Sequence, residues 1–163
     1  MTHIIGFAGY SNSGKTTLIS KIVCELQIRG YRVAVLKHDA HGHYKEAEGS
    51  DSDVFMKSGA DTVVTVSPDA FHMTMKQTDS SLGAAIQSIP KSDYVVIEGF
   101  KSEQHPKIAV FRNEMQMSII EQLDPKPIAA ATDMQGLDLN ISVFHLNAAA
   151  EIVNFLELYF TNK

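Results

Sequence analysis

The chain is poor in cysteine and arginine and has no long apolar run. A single cysteine, Cys24, excludes an internal disulfide. It falls inside a helical pattern, where a buried, inert thiol is expected. Arginine occurs only as Arg29, Arg32 and Arg112, and none sits in a segment that reads as a lid. No apolar run approaches the roughly 18 residues needed to span a bilayer. The opening residues MTHIIGFAGYSNSGKTT have no basic n-region and no long apolar h-region, so they do not read as a signal peptide. Cytoplasmic location is the expectation. Positive charge is not in excess either. A formal charge of −5 gives no electrostatic reason to bind nucleic acid, although it permits a local basic pocket.

The 163 residues suit one domain, 1–163, with one core. A hydrophobic content of 44% against 20% charged residues argues against disorder. Short apolar runs alternate with helical patterns along the length. His3–Ala8 reads as a buried strand. Residues 15–29 place Leu18, Ile19, Ile22, Val23 and Leu26 at helical spacing, with Gly30 where a C-terminal cap belongs. Tyr31–Lys37, Thr62–Val66, Asp93–Ile97, Lys107–Phe111, Pro127–Ala131 and Ile141–Phe144 read as strands. Asp51–Ser58, Ser80–Ile89 and Ala148–Phe160 read as helices. Phe71–Lys76 alternates with period two, as a half-exposed strand at a candidate antiparallel edge does. Its Phe71, Met73 and Met75, like Met115 and Met117, read as ordinary packing, with a dimer surface as the other reading of the latter pair. The fold expected is α/β: a mainly parallel sheet flanked by helices, with ligands at the carboxyl ends of the strands.

One motif stands out. Gly9-Tyr10-Ser11-Asn12-Ser13-Gly14-Lys15-Thr16 fits G-x-x-x-x-G-K-[ST]. By composition alone, about one chain in two hundred of this size would carry the pattern by chance. Here a hydrophobic strand runs into it and an amphipathic helix runs out, as a P-loop requires. Gly9 and Gly14 allow backbone angles and close approach that a Cβ would block. Amides of Ser11, Asn12 and Ser13 can then face phosphate oxygens, helped by the helix N-terminus. Lys15 would reach the β and γ phosphates, Thr16 would ligate Mg2+, and Thr17 would bond the α phosphate. Lys15 and Glu98 are the catalytic candidates. Glu98 ends the DYVVI strand and is the candidate second acid for the metal, directly or through water. Asp39, after the strand Tyr31–Lys37, is a second metal candidate.

His38, His41 and His43 cluster in KHDAHGH, without a nearby cysteine or a closed zinc spacing. A substrate or partner contact, or a polar loop that orders on nucleotide binding, is the preferred reading of that cluster. Asp133 follows the apolar run PIAAAT. A carboxylate there suits the two parallel donors of guanine and tilts the nucleotide toward GTP, although the usual Asn-Lys before it is missing.

Together GYSNSGKTTL, VAVLKHDAHGH, GSDSDVFMKSGADTVVTVS, YVVIEGFK and IAAATD resemble the molybdopterin-guanine dinucleotide biosynthesis protein B (MobB) family over nearly the whole chain. The resemblance implies a P-loop NTPase fold and a GTP-binding homodimer with slow GTPase activity. It implies an accessory to the guanylyltransferase that joins GMP to molybdopterin. It also implies roles for His38, Asp39, Asp51 and Lys101. Two rival readings use the same loop: a small-molecule kinase, and a nickel metallochaperone GTPase using the histidines. A slow GTPase is expected because no glutamine or arginine reads as lying near the loop.

Overall fold

The computed structural model describes residues 2–39, 42, 44 and 46–162; His41 and His43 lie outside them. The chain forms two compact units. One comprises the chain up to His38 and from Ala85 onward, the other Asp39–Ala84.

The larger unit is built on β1 (His3–Ala8), α1 (Lys15–Ile28) and β2 (Val33–Lys37). It resumes after α3 (Leu82–Ser88) with β5 (Tyr94–Glu98), β6 (Lys107–Phe111), α4 (Glu114–Met117) and α5 (Ile119–Gln122). It ends with β7 (Ala129–Thr132), β8 (Ser142–His145) and α6 (Ala149–Thr161). The six strands form one sheet in the order β2-β5-β1-β6-β7-β8, and every pairing is parallel. Parallel pairing fits strands such as YVVIE and KIAVF, which are apolar on both faces because helices cover both. Residues of alternate parity serve two cores. Ile5, Phe7, Ile108 and Val110 pack with Leu18, Ile22 and Leu26 of α1 and Ile152, Val153 and Leu156 of α6. Ala8, Ala109, Phe111 and Ala130 pack with Ile119 and Leu123 on the other side. The short helices α4 and α5 fill that second side. Their four residues each are too few for a periodic signal, so sequence patterning does not show them.

Helix α1 buries the apolar stripe expected of it. Cys24 departs from expectation: it is exposed. At 100° per residue it lies about 200° from Ile22, on the solvent side. Arg29 ties α1 to α6 by pairing with Glu25 at 2.8 Å and Glu157 at 2.7 Å. His105, in the turn before β6, is buried against Gly6, and neither ring nitrogen has a hydrogen-bond partner among the described residues. Burial, with the nearby Lys107 ammonium second, lowers its pKa to about 4. It is therefore a neutral core histidine.

The smaller unit contains α2 (Asp51–Lys57), β3 (Thr62–Val66) and β4 (Phe71–Met75). Ser50 caps α2 by accepting the Asp53 amide at 3.3 Å. The antiparallel element of this chain forms a sheet of its own, β3 paired with β4. The register sets Val66 opposite Phe71 and Val64 opposite Met73, so one face is apolar. Val64, Val66, Phe71, Met73 and Met75 are all exposed, which corrects the expectation of ordinary packing at β4. Met115, on α4, is also exposed, whereas Met117 packs against the second core. The opposite face of the hairpin carries Val63, Thr65, His72 and Thr74, beside Tyr44, Glu46 and Ser52.

Among the described residues no helix is long and apolar enough to cross a membrane.

Candidate phosphate-binding site

The carboxyl edge of the six-stranded sheet gathers the motif residues. Strand β1 lies between β5 and β6; the chain runs from β1 to β2 on one side and later passes from β5 to β6 on the other, so the carboxyl end of β1 is a switch point open to ligand. The segment Gly9–Gly14 begins there and feeds directly into α1.

The two motif glycines serve different ends. A Cβ on Gly9 would lie 2.2 Å from the Val110 carbonyl oxygen and 2.7 Å from Ser13 Oγ, so the need is close approach to β6. Gly14 has φ 93°, a left-handed conformation that lets the loop turn into the helix. No side chain caps α1, so its first-turn amides are left for another acceptor. Asn12 also adopts positive φ, at 60°, which asparagine tolerates better than most residues.

A cavity of about 520 Å³ is lined by Ser11 through Thr17, Glu98 and Arg112. It therefore brings together most of the residues read from sequence. Ser11, Asn12, Thr16 and Thr17 are exposed, while Ser13 is buried and its amide already donates to the Tyr10 carbonyl at 3.3 Å. Lys15 Nζ donates to the Tyr10 carbonyl at 2.7 Å, holding the ammonium back over the loop. Burial lowers the Lys15 pKa, opposed by Glu98 and reinforced by Lys101 and Lys37. Thr16 Oγ1 donates to Glu98 Oε1 at 3.2 Å. Two of the three side chains read as metal candidates are thus adjacent. A hydroxyl and a carboxylate are hard oxygen donors suited to Mg2+, which keeps several waters in sites of this kind.

The motifs after β2 and β5 meet here as well. Lys37 is in register with Glu98, and the His38 amide donates to the Glu98 carbonyl at 2.8 Å. The His38 ring stacks on Phe100 at 4.3 Å between centroids. Gly99 makes room for this: a Cβ there would lie 2.8 Å from His38 Cβ. Lys101 sits 5.1 Å above the Tyr10 ring.

Asp133 lies at the carboxyl end of β7, half exposed, with Oδ2 3.4 Å from Arg112 Nε and Oδ1 3.5 Å from His145 Nε2. Asp39 and Asp51 belong to the smaller unit. Asp39 accepts the Tyr44 amide at 2.6 Å, and Asp51 is exposed in the first turn of α2. Among the described residues no group of three or more His, Cys, Asp or Glu is placed to hold a metal ion.

Motif reading missed two groups beside the loop. It leaves the loop without an arginine or glutamine, and the structure corrects this. Arg112 Nε and Nη2 each lie 3.2 Å from where a Gly14 Cβ would be. Gln116 Nε2 donates to the Ser11 carbonyl at 3.3 Å, and its Oε1 accepts the Arg112 amide at 2.9 Å. One signal could have found Arg112. It directly follows the KIAVF strand, at the end where parallel sheets bind ligands.

Comparison with known proteins agrees over most of the chain. The family model for Molybdopterin guanine dinucleotide synthesis protein B matches residues 4–133. The molybdopterin-guanine dinucleotide biosynthesis adapter protein of Haemophilus influenzae is 34% identical over 157 residues, covering 94% of this chain and 87% of that protein. The Escherichia coli protein of the same name is 29% identical over 162 residues, covering 96% and 92%. A crystal structure of molybdopterin-guanine biosynthesis protein B superposes with TM-score 0.78 at 27% identity, covering 96% of this chain and 99% of that one. The family model alone spans well over half of the sequence, and the chain belongs to the MobB family.

Proposed function

We propose that this chain is a GTP-binding adapter of molybdopterin-guanine dinucleotide synthesis. In this reading it presents GTP with Mg2+ and assists the guanylyltransferase that attaches GMP to molybdopterin. The observation that carries the reading is the loop Gly9–Thr16, with Lys15 held over it and Thr16 against Glu98, in a chain of this family. Gly9, Ser11, Asn12, Ser13, Gly14, Lys15, Thr16 and Thr17 cradle the phosphates. Thr16 and Glu98 hold the metal. The half-exposed Asp133 reads guanine N1 and N2. Molybdopterin contacts and cytoplasmic location belong to the same proposal.

Hydrolysis is slow in this reading, for a reason different from the one sequence offers. Both ends of the Gln116 amide are engaged, so it is not placed to orient an attacking water.

Competition between GTP and ATP tests the base assignment. GTP is expected to bind at least about tenfold more tightly, since adenine offers the Asp133 carboxylate no pair of parallel donors. Equal affinity would remove the guanine assignment. Co-precipitation with the guanylyltransferase tests the partner, and no complex with or without GTP would remove the adapter role.

The exposed apolar face of the β3–β4 hairpin supports a homodimer. A lone two-stranded sheet is marginal in water, and a second copy offers the same face to pair with. Light scattering should give twice the chain mass for the wild type. Phe71→Glu with Val66→Glu should give a folded monomer. A dimer that survives both charges would place the interface elsewhere.

A further inference from the structure

Arg112 lies outside the G-x-x-x-x-G-K-[ST] motif yet lines the same cavity. It is braced at both ends. Its main-chain amide donates to Gln116 Oε1 at 2.9 Å, and Gln116 Nε2 donates to the Ser11 carbonyl of the loop at 3.3 Å. Its side chain reaches over Gly14, with Nε and Nη2 3.2 Å from the position of a Cβ there. A Cβ there would crowd the guanidinium, which lies close over Gly14, the N-cap of α1. Asp133 Oδ2 faces Arg112 Nε at 3.4 Å, from a neighbouring strand end. The guanidinium is nevertheless about half exposed.

This is an arrangement for an anion. A guanidinium carries five N–H donors, more than the one carboxylate of Asp133, closest to it at Nε, can accept. The remaining edge matches phosphate oxygens in a way that a lysine cannot. A chain of net charge −5 must build local positive potential to hold a polyphosphate, and one lysine in the loop supplies only part of it.

We propose that Arg112 is a second phosphate-binding cation of this site, and that Asp133 is the positioning residue that holds it over Gly14. The proposal rests on the reading of the loop as a nucleotide site. It adds to Asp133 a role at the phosphates alongside its role at the base. The two are compatible, because each carboxylate oxygen has two acceptor positions.

Tripolyphosphate separates these roles, since it has phosphates and no base. Its binding to the full chain with Mg2+ would be measured by calorimetry. Arg112→Ala is expected to weaken tripolyphosphate and GTP alike by about tenfold, and Arg112→Lys by less. Asp133→Asn, which has no need to touch phosphate, is expected to weaken tripolyphosphate about threefold, with Asp133→Glu regaining most of the loss. Unchanged thermal melts for these surface variants exclude misfolding as the cause. Arg112→Ala binding tripolyphosphate as the wild type does, or wild type failing to bind it at about millimolar concentration, overturns the phosphate role. Asp133→Asn weakening GTP but not tripolyphosphate overturns the positioning role. Lys15→Ala run in parallel keeps the two readings apart: if that variant retains binding, the loop assignment itself fails.

Discussion

Lys15→Ala is expected to lower affinity for nucleoside triphosphate by at least about a hundredfold while leaving unfolding nearly unchanged. The affinity loss follows from removing a charge-assisted donor from a polyanion site, worth about 3 kcal/mol or more when the site excludes water. The small effect on folding follows from the state of Lys15 itself. Its pKa is lowered, chiefly by burial, so the folded protein holds the ammonium less comfortably than water does. Removing it forfeits one hydrogen bond to the Tyr10 carbonyl, about 1 kcal/mol, and relieves that desolvation. The same sign predicts a pH effect. A bound phosphate favours the ammonium, so affinity falls as pH rises through the lowered Lys15 pKa. Calorimetry with GTP, beside a denaturant melt, checks both parts. A Lys15→Ala chain that binds GTP normally would end the loop assignment, and one that unfolds would show Lys15 to be structural.

Gly9→Ala is expected to be the more damaging change to the fold, by about 3 kcal/mol. The obstacle is backbone: the new methyl carbon would sit 2.2 Å from the Val110 carbonyl oxygen. Val110 is fully buried in β6, whose register with β1 is set one residue away by Ala8 opposite Ala109. Room can be made only by parting two paired core strands or by displacing the loop, and either also moves the phosphate site. Gly30→Ala is the control. It has φ 86° but nothing within 4 Å of the added carbon, so it carries only conformational strain of about 1–2 kcal/mol. Urea midpoints should fall in the order wild type, Gly30→Ala, Gly9→Ala at constant slope. A Gly9→Ala midpoint at or above that of Gly30→Ala would contradict the steric argument.

These two residues show what sequence made legible. Short-range chemistry was plain: a strand, a glycine-flanked loop with its lysine, then an amphipathic helix. The apolar runs YVVIE and KIAVF announced strands buried on both faces, and a parallel sheet followed. Pairing order was not legible, because it is decided by helices crossing over the sheet and by contacts far apart in sequence. Hence Glu98 could be placed beside the loop as a candidate from its strand end, while Arg112 could not be placed beside Gly14. The 97 residues between Gly14 and Arg112 are bridged only when β6 takes its place beside β1. The same gap explains Cys24 and β4. Helical spacing showed that α1 has a buried stripe, and Cys24 lies off it. Period-two spacing showed that Phe71, Met73 and Met75 share a face, without saying what, if anything, covers it. Residues as far apart as His38 and Phe100 looked like separate motifs and turn out to be one stacked pair.

The central claim is that this loop binds a nucleoside triphosphate together with magnesium. Its most direct test is calorimetric titration of the wild-type chain with GTP, once with Mg2+ and once with EDTA. The account predicts one site per chain, weakened at least about tenfold when the metal is removed, because the charge on the phosphates then meets Lys15 and Arg112 without the ion beside Thr16 and Glu98. No binding in either buffer, or the same affinity in both, would contradict it.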